Sequence, residues 1–444
     1  MAKRATAVLS ALLLLAAACG GDDSDDAATT TTAGGAATTA AEAVDLSGQT
    51  VEVAAVWSGS EQQNFEEVLA VFEEETGADV TFTSTGDDVA ATIGPRLQAG
   101  SPPDIAMLPQ PGLLRDFAAQ GALQDIEEVA GASVDENYAE IWRELGSVDG
   151  TLYGVWFKVA NKSTVWYNVP VLDDAGVEPP EDWDGFLDTA GTISDFGVPP
   201  VSVGGADGWV LTDWFENVYL RAAGGDMYDQ LAAHQIPWTD QSVKDALGVL
   251  AELFADPTLL AGGAQGAIQT DFPTSVEAVF VEPARAAMVF EGDFVADVIT
   301  SSTDAELGTG ADFFPFPAVD GSEPAVVGGG DVAVLFTENE AARELMRFLA
   351  TPEAAEVWAA AGGFLSANQG VDIGVYPDEI SGRMAEELVS TELFRFDMSD
   401  LQPAAFGGTV GAGMWKLLQD FVAAPANIDG ITAQLEAAAA AAFQ

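Results

Sequence analysis

Histidine and cysteine, two residue types that many enzymes use for catalysis, are nearly missing from this sequence. It has a single histidine, His234, and a single cysteine, Cys19. Ser-His-Asp and Cys-His catalysis would both depend on His234, which has no catalytic motif around it and is predicted to be a surface or loop residue. Zinc sites need clustered His and Cys, and the chain has no GxxxxGK[ST] phosphate-binding loop. We therefore predict no metal, no cofactor and no enzymatic activity.

One enzymatic alternative stays open. The chain has 71 acidic side chains, and a glycoside hydrolase needs only two of them, flanking the bond to be cleaved. The sequence singles out no such pair, so a secreted glycoside hydrolase is kept as an alternative to a binding protein.

Aromatic side chains are abundant, with ten Trp, six Tyr and 24 Phe. Sugar rings present apolar C–H faces that stack on aromatic rings, while their hydroxyl groups bond carboxylates and amides. The segment DGWVLTDWFENVYL, residues 207–220, mixes both kinds of side chain, and its candidates for ligand contact are Trp209, Asp213 and Trp214. The alternative is a helix whose aromatic residues face the core, and for each residue taken alone it is at least as well supported.

The net charge is formally −56, from 71 acidic and 15 basic side chains. Nucleic acid is excluded as a partner, because phosphate binding needs clusters of Lys and Arg. Anionic solutes are disfavoured as well. The charge therefore favours a neutral ligand, with a cationic solute such as a polyamine as the alternative.

The N-terminus predicts an exported lipoprotein. Lys3 and Arg4 precede an apolar run, residues 8–18, that is too short to span a bilayer permanently. Three alanines then precede Cys19, which resembles the lipobox of bacterial lipoproteins, although Ala16 stands where leucine is usual. The signal peptide is predicted at 1–19, with a lipid on Cys19 that anchors the chain to the extracellular face of the cytoplasmic membrane. Residues 20–46, rich in Gly, Ala, Thr and Asp, are predicted to be a disordered stalk.

The elements that must position the candidate side chains follow a β-α-β-α-β order. The segment VEVAAVW, 51–57, is typical of a buried strand, and further strands are predicted at 80–84 and 101–108. Between the first two strands, apolar residues recur at helical spacing before a stop at Gly77: Phe65, Val68, Leu69 and Phe72. This order is typical of a doubly wound α/β lobe. The roughly 400 residues after the stalk predict two lobes.

In their joint order, several segments resemble family 1 of the extracellular solute-binding proteins of ABC importers, which deliver oligosaccharides. The segments span about 49–435 and are VWSGSE, FEEETGADV, SPPDIAML, DGTLYGVWFKVANKSTVWYN, PPEDWDGFLDTA, AAMVFEGDFVAD, PFPAVDG, VVGGGDVAVLF, RFLATPEAAEVWAAAGGFLSAN and MWKLLQDF. The phrase KVANKSTVWYN is most similar to α-glucoside-binding members.

The resemblance implies an α/β, two-lobed, periplasmic-binding-protein-like (type II) clamp in which each lobe is a doubly wound sheet with flanking helices. Lobe 1 is expected at 47–160 plus 314–370, and lobe 2 at 161–313 plus 371–444. The resemblance also implies a monomer that captures a neutral disaccharide or short α-glucoside and delivers it to an ABC permease in the cytoplasmic membrane.

Candidate ligand contacts come from position and from the resemblance. Ligands of open α/β sheets bind beyond the carboxyl ends of strands, so Trp57 and the loop after it are candidates. Matching to the family gives residues that bond or stack on a sugar: Ser58, Ser60, Glu61, Gln110, Asn161, Asp293, Phe294 and Trp415. Asp331, beside three glycines, is a further candidate, with a turn residue as the alternative. Leu108 and Pro111 replace an aromatic and a carboxylate found in some relatives, which argues against a long maltodextrin as the ligand.

Overall fold

The computed structural model describes residues 44–86 and 89–444. The predicted signal peptide, Cys19 and the predicted stalk up to residue 43 lie outside the described residues. From residue 44 onward the chain belongs to one compact unit. None of the helices described in this unit is both long enough and apolar enough to cross a membrane.

The strands of the described residues form one sheet of six, one of four and one of two. They are β1 (Thr50–Ala55), β2 (Asp79–Ser84), β3 (Ile105–Leu108), β4 (Ser147–Val148), β5 (Thr151–Leu152), β6 (Gly154–Asn161), β7 (Thr164–Asn168), β8 (Val201–Ser202), β9 (Met288–Glu291), β10 (Ala311–Pro315), β11 (Ala325–Leu335) and β12 (Leu393–Phe396).

Helices cover both larger sheets. They are α1 (Gly59–Thr76), α2 (Val89–Gln98), α3 (Pro111–Ala119), α4 (Ala132–Asn137), α5 (Glu140–Leu145), α6 (Val169–Ala175), α7 (Trp183–Phe196), α8 (Trp209–Ala223), α9 (Gly225–Ala232), α10 (Gln241–Phe254), α11 (Gly263–Gln269), α12 (Phe272–Phe280), α13 (Val295–Ser302), α14 (Glu340–Leu349), α15 (Pro352–Ala361), α16 (Glu379–Ser390), α17 (Met398–Leu401), α18 (Ala404–Gly407), α19 (Gly413–Ala423) and α20 (Ile428–Ala442).

The first sheet has the order β12-β11-β3-β1-β2, and β6 pairs with β11 as well. β1 is parallel to β2 and to β3, which confirms the predicted β-α-β-α-β start. Helix α1 joins β1 to β2, and α2 joins β2 to β3, because a parallel connection must return the chain to the same end of the sheet. β11 runs antiparallel to β3 and β6 and parallel to β12.

Local sequence explains how α1 is formed and where it ends. Its buried side chains are Phe65, Val68, Leu69 and Phe72, the four that recur at helical spacing. Gly77 then adopts a left-handed conformation, with φ of 76°, and its N–H donates to the carbonyl of Glu73. Glycine reaches this conformation without a steric penalty, so the helix ends there.

The second sheet has the order β10-β7-β9-β8 and builds a second apolar core. Phe290 on β9 and Trp214 of α8 both belong to this core, and their rings pack against each other. The other core contains Val53 of the first sheet and Phe65 of α1, and it also takes in Val289 from the second sheet. Two sheets with two cores give the predicted two-lobed architecture.

The chain passes between the two sheets at three places. Residues 162–163 join β6 to β7, and residues 316–324 join β10 to β11. The third passage follows β12, because α17 to α20 contribute Met398, Phe406 and Leu435 to the second core. Strand β12 belongs to the first sheet, although 371–444 was predicted to lie in lobe 2, because Leu393–Phe396 pairs in parallel with β11. The lobe boundaries as such stay a prediction.

Candidate ligand-binding site

The loops that follow the strands of both sheets converge around the first passage between the lobes. Ser58 is exposed at the N-cap of α1, and Ser60 and Glu61 are half-buried in its first turn. Glu61 reaches β6 and forms an ion pair with Lys158. The predicted polar loop after β1 therefore lies against the strand that leads into the passage.

Lys158 is buried and is the centre of a first charged group. Its ammonium lies 5.0 Å from the ring centroid of Trp358 and 6.0 Å from that of Trp57. Burial disfavours the charged lysine, but the carboxylates of Glu61, Asp331 and Asp293 outweigh burial and raise the pKa of Lys158 above its ordinary value. Lys158 is therefore held as a cation.

Trp57 and Asp331 border this group. Trp57 is 2% exposed and packs edge-on against Phe65 and Trp358, so it is part of the first core. Its side chain bonds the carboxyl group of Asp331, which is half-buried on β11. Burial raises the pKa of Asp331 to about 6, although Lys158 opposes this shift. The alternative given for Asp331, a turn residue, does not hold, since Asp331 lies within β11.

Asn161 and Asp293 tie the end of β6 to the loop after β9. The Asn161 backbone N–H donates to Asp293 Oδ1 at 2.7 Å, and its side-chain Nδ2 donates to Glu387 Oε2 at 3.1 Å. Asn161 Oδ1 accepts from the backbone N–H of Ser163 at 3.0 Å. Protein partners thus engage both polar atoms of the Asn161 side chain. Burial raises the pKa of Asp293 to about 7, against the effects of Lys158 and the Asn161 N–H.

Lys162, in the passage itself, is the centre of a second charged group. Its Nζ lies 2.5 Å from Asp397 Oδ2 and 3.4 Å from Asp213 Oδ1, and 5.7 Å from the ring centroid of Trp209. Asp397 is buried, which by itself would raise its pKa, but Lys162 overcomes burial and lowers the pKa to about 2. For Asp213 the effect of burial is the larger one, and it raises the pKa of Asp213 well above the ordinary value in spite of Lys162.

Two further acids, Glu291 and Glu216, adjoin Lys162 and Asp213. Glu291, at the end of β9, has no hydrogen-bond donor to either carboxyl oxygen among the described residues. Burial raises its pKa to about 8. Glu216 accepts from the backbone N–H groups of Met398 and Ser399 at the start of α17. Oxygens of Asp213, Glu216 and Asp397 lie within 4.8 Å of one another, a spacing that suits a hard cation. Here Lys162 supplies the positive charge.

Aromatic rings form one wall beside Lys162. Trp209 and Phe294 are half-buried, with ring centroids 6.0 Å apart, and Phe272 lies 5.2 Å from Trp209. Trp415 is 7% exposed and packs against Gly208, where a Cβ would lie 2.8 Å from the Trp415 Cβ. Partly exposed rings beside carboxylates have the chemistry that a sugar ring needs.

Trp214, in contrast, is a core residue. It is 1% exposed and packs 4.6 Å from Phe290 in the second core. The alternative given for residues 207–220, an aromatic residue that faces the core, is therefore the one that Trp214 follows. Asp213 is also fully buried, but its carboxylate faces Lys162.

Gln110 lies at the end of β3, as expected from its place in the second loop. Its side chain bonds the carboxyl group of Asp400, whose pKa burial and the charge of Asp397 both raise. It also packs so closely on Gly408 that a Cβ there would lie 2.1 Å from Gln110 Nε2. Gln110 thus joins the first lobe to the residues after β12.

Seven charged residues of this region were missed by the sequence reasoning: Lys158, Lys162, Glu216, Glu291, Glu387, Asp397 and Asp400. The two lysines stand in KVANKS, four positions apart in a strand-like run, and the whole chain has only five lysines. Buried lysine in an acid-rich chain was a signal that could have been used. Asp397 and Asp400 had no comparable signal.

Comparison with known proteins gives a consistent assignment. Residues 57–356 match the family described as bacterial extracellular solute-binding protein. The chain is 35% identical over 378 residues to the osmoprotective compounds-binding protein GgtB of Synechocystis sp., which covers 83% of this chain and 89% of GgtB. It is 33% identical over 400 residues to the alpha-glucosides-binding periplasmic protein AglE of Rhizobium meliloti, which covers 87% of this chain and 86% of AglE.

A solved structure has the same fold. The bacterial solute receptor AcbH aligns with a TM-score of 0.79 at 22% identity, over 89% of this chain and all of that one. This likeness confirms the predicted two-lobed α/β fold, and the extent of the family match confirms the resemblance. The chain belongs to the bacterial extracellular solute-binding proteins.

Proposed function

We propose that this protein captures a neutral sugar, a disaccharide or short α-glucoside, and delivers it to an ABC permease in the cytoplasmic membrane. One observation carries the proposal: the half-buried rings of Trp209 and Phe294 lie beside the carboxylates and ammonium group around Lys162. Rings offer a stacking surface for the C–H face of a sugar, and the charged groups offer bonds to its hydroxyl groups.

The named relatives support this ligand class. AglE is named for binding α-glucosides and GgtB for binding osmoprotective compounds. Both alignments cover more than four fifths of each protein. Within the proposed class, an α-glucoside or a sugar-based osmolyte is therefore the first ligand to test.

We further propose that the protein is a monomer held on the outer face of the cytoplasmic membrane by a lipid on Cys19. The basic start, the short apolar run and the three alanines before Cys19 support this proposal. A lipid of this kind contributes roughly 0.8 kcal/mol for each buried methylene group. Metabolic labelling with a radioactive fatty acid should label the wild-type chain and leave Cys19→Ser unlabelled.

The ligand is tested by titrating the chain from residue 20 onward with sugars, following tryptophan fluorescence and heat of binding. A panel of sucrose, trehalose, maltose and raffinose should contain at least one ligand that saturates, whereas phosphate and nucleotides should give no change. Saturable binding of a peptide or an ion, together with no response to any sugar, would refute the proposed ligand class.

A cationic solute is the second candidate, because carboxylates outnumber lysines in the site. Around Lys162 alone lie Asp213, Asp397, Asp400 and Glu291. Putrescine and spermidine belong in the same titration, and tight saturable binding of either would favour this candidate over the sugar.

We propose that the protein performs no chemistry on the ligand. The glycoside hydrolase alternative predicts released monosaccharide after the chain is incubated with the same oligosaccharides. Unchanged substrate on chromatography, after an incubation long enough for many turnovers of a slow enzyme, would dismiss it.

A further inference from the structure

The Lys162 ammonium is held in the way that a protein binds a cationic ligand. Two carboxylates flank it, those of Asp397 and Asp213, whose side chains are 2% and 0% exposed. The ring of Trp209 lies 5.7 Å away, within the range of cation–π attraction. Carboxylates with an aromatic face are the groups that recognise alkylammonium ions. Here the cation is not a ligand but the Lys162 side chain of the protein itself, which is 13% exposed.

The backbone of Lys162 is fixed independently of this side chain. Its N–H donates to the carbonyl of Val327 at 2.9 Å, and its carbonyl accepts from Asn217 Nδ2 at 2.9 Å. Asp213 is fixed by α8, and Asp397 accepts from Ser399 Oγ at 2.7 Å. Shortening the lysine side chain would therefore leave its two acidic neighbours in place around a vacant volume.

We propose that Lys162 is a specificity-determining residue that occupies a built cation subsite and so makes the site selective for neutral solutes. The inference rests on the proposed function, since it assigns a cause to the neutral ligand class. Without Lys162, the buried carboxylate of Asp397 would have no counter-charge, and Asp213, Asp400 and Glu291 lie close to it. A buried carboxylate without a partner is costly, so the vacated subsite would take up a small organic cation.

The test is chemical rescue of Lys162→Ala by alkylammonium ions. Thermal unfolding and calorimetric titration are followed with methylammonium and ethylammonium chloride, with sodium chloride at equal ionic strength as the reference. We expect saturable stabilisation of Lys162→Ala, with an affinity about 10-fold or more above that of the wild type. Equal responses of wild type and variant, or no saturable response of the variant, would overturn the proposal.

Two matched variants keep this result specific. Lys162→Met fills the same volume without the charge and should gain no alkylammonium binding. Lys244→Ala removes a lysine whose ion pair with Asp429 lies on the surface, and it should behave as the wild type. A gain in either variant equal to that of Lys162→Ala would contradict a subsite at position 162.

Poor folding of Lys162→Ala does not prevent the test. Refolding yield is then measured against ethylammonium concentration for Lys162→Ala and for Lys162→Ala with Asp397→Asn. The proposal expects ethylammonium to raise the yield of the first and to have no effect on the second. An equal effect on both would overturn it.

The result of the alkylammonium test can be told apart from the result of the sugar-binding test. The alkylammonium titrations contain no sugar, so the cation subsite is tested even in a protein whose ligand is something else. Failure of the wild type to bind any sugar refutes the proposed function, whereas tight binding of putrescine by the wild type refutes the role given to Lys162.

Discussion

At the scale of single residues, two tryptophans five positions apart have different tasks. Trp209 is half-buried at the start of α8 and faces Lys162 and Phe294, whereas Trp214 is 1% exposed and packs in the second core. A tryptophan on the site wall contributes to ligand affinity, and one in the core contributes to the free energy of unfolding. Replacing each tryptophan by alanine should therefore change ligand affinity at position 209 and the free energy of unfolding at position 214.

We expect Trp209→Ala to lower sugar affinity roughly 10-fold or more, because a ring that contacts a ligand is commonly an energetic hot spot. Its unfolding temperature should change little. Trp214→Ala should instead lose about 3–5 kcal/mol of stability by leaving a cavity, and the folded fraction should keep its affinity. Calorimetric titration and thermal unfolding of both variants measure this, and a stability loss confined to Trp209→Ala would contradict the assignment.

The sequence predicted the carboxylate and aromatic parts of the site better than its lysines. Asp213 was proposed because acids match the chemistry of a sugar, whereas Glu61 and Phe294 were proposed from the resemblance to the family. Lys162 meets Asp397 across 235 positions of the chain, and no spacing rule connects residues so far apart. The pairing exists only because β12 returns to the first sheet just before Asp397.

At the scale of elements, α8 connects all three passages between the lobes. Asp213, Asn217 and Arg221 stand four positions apart and so form one stripe on this buried helix. Asn217 accepts from Ser163 Oγ at 2.6 Å and donates to the carbonyl of Lys162, both in the first passage. Arg221 donates to the carbonyl of Ala325, where the second passage ends.

Glu216, one position from Asn217 on the same helix, reaches the third passage. Its carboxylate accepts the N–H groups of Met398 and Ser399 at 2.6 and 3.0 Å. Because these bonds all start from one rigid helix, the passages are fixed relative to one another where they meet it.

Asn217→Ala should test whether the stripe on α8 contributes to stability. It removes bonds to Ser163, Lys162 and Arg221 and leaves buried polar groups without partners, so we expect a loss of about 1–3 kcal/mol in stability. Chemical unfolding measures the loss. As a control, Gln434 is exposed on α20, and its side chain bonds only the carbonyl of Gly430 in the same helix. Gln434→Ala should therefore change stability by less than about 0.5 kcal/mol. Equal small effects of the two substitutions would count against the stripe.

Helices and strands that are specified by nearby residues were predicted well from the sequence. β1, α1, β2 and the end of β3 lie close to their predicted bounds, because strand composition, helical spacing and Gly77 are all readable within a short window. β12 was not predicted. It has four residues, and it is a strand because β11, whose paired residues stand 68 positions earlier, offers it a free edge. Whether so short a segment forms a strand depends on its pairing with another strand, and this pairing cannot be read from the local sequence.

At the scale of the whole molecule, the buried carboxyl groups make the stability of the protein depend on pH. Burial raises the pKa of Glu291 to about 8, of Asp293 and Glu387 to about 7, and of Asp331 to about 6. In the unfolded chain Asp and Glu titrate at about 4. Between these values the folded state keeps protons that the unfolded state has lost, so the free energy of unfolding falls as pH rises.

We therefore expect the unfolding temperature to decrease steadily from about pH 5 to about pH 8.5. Repulsion between surface acids acts in the same direction, but about 1 M salt screens it and screens buried groups much less. The slope that remains at high salt should become shallower in Glu291→Gln, which removes the group with the highest of the pKa values given above. An unfolding temperature that stays constant or rises with pH at high salt would contradict the buried titration.

The place of β11 in the chain also governs when the first lobe can fold during synthesis. β3 ends at Leu108 and β6 at Asn161, yet both pair with a strand that begins only at Ala325. A nascent polypeptide shorter than this exposes two unpaired strand edges, and contacts between such distant segments form slowly. We therefore expect the first lobe to stay incompletely folded while most of the polypeptide emerges from the ribosome, which is the state that a narrow secretion channel can thread.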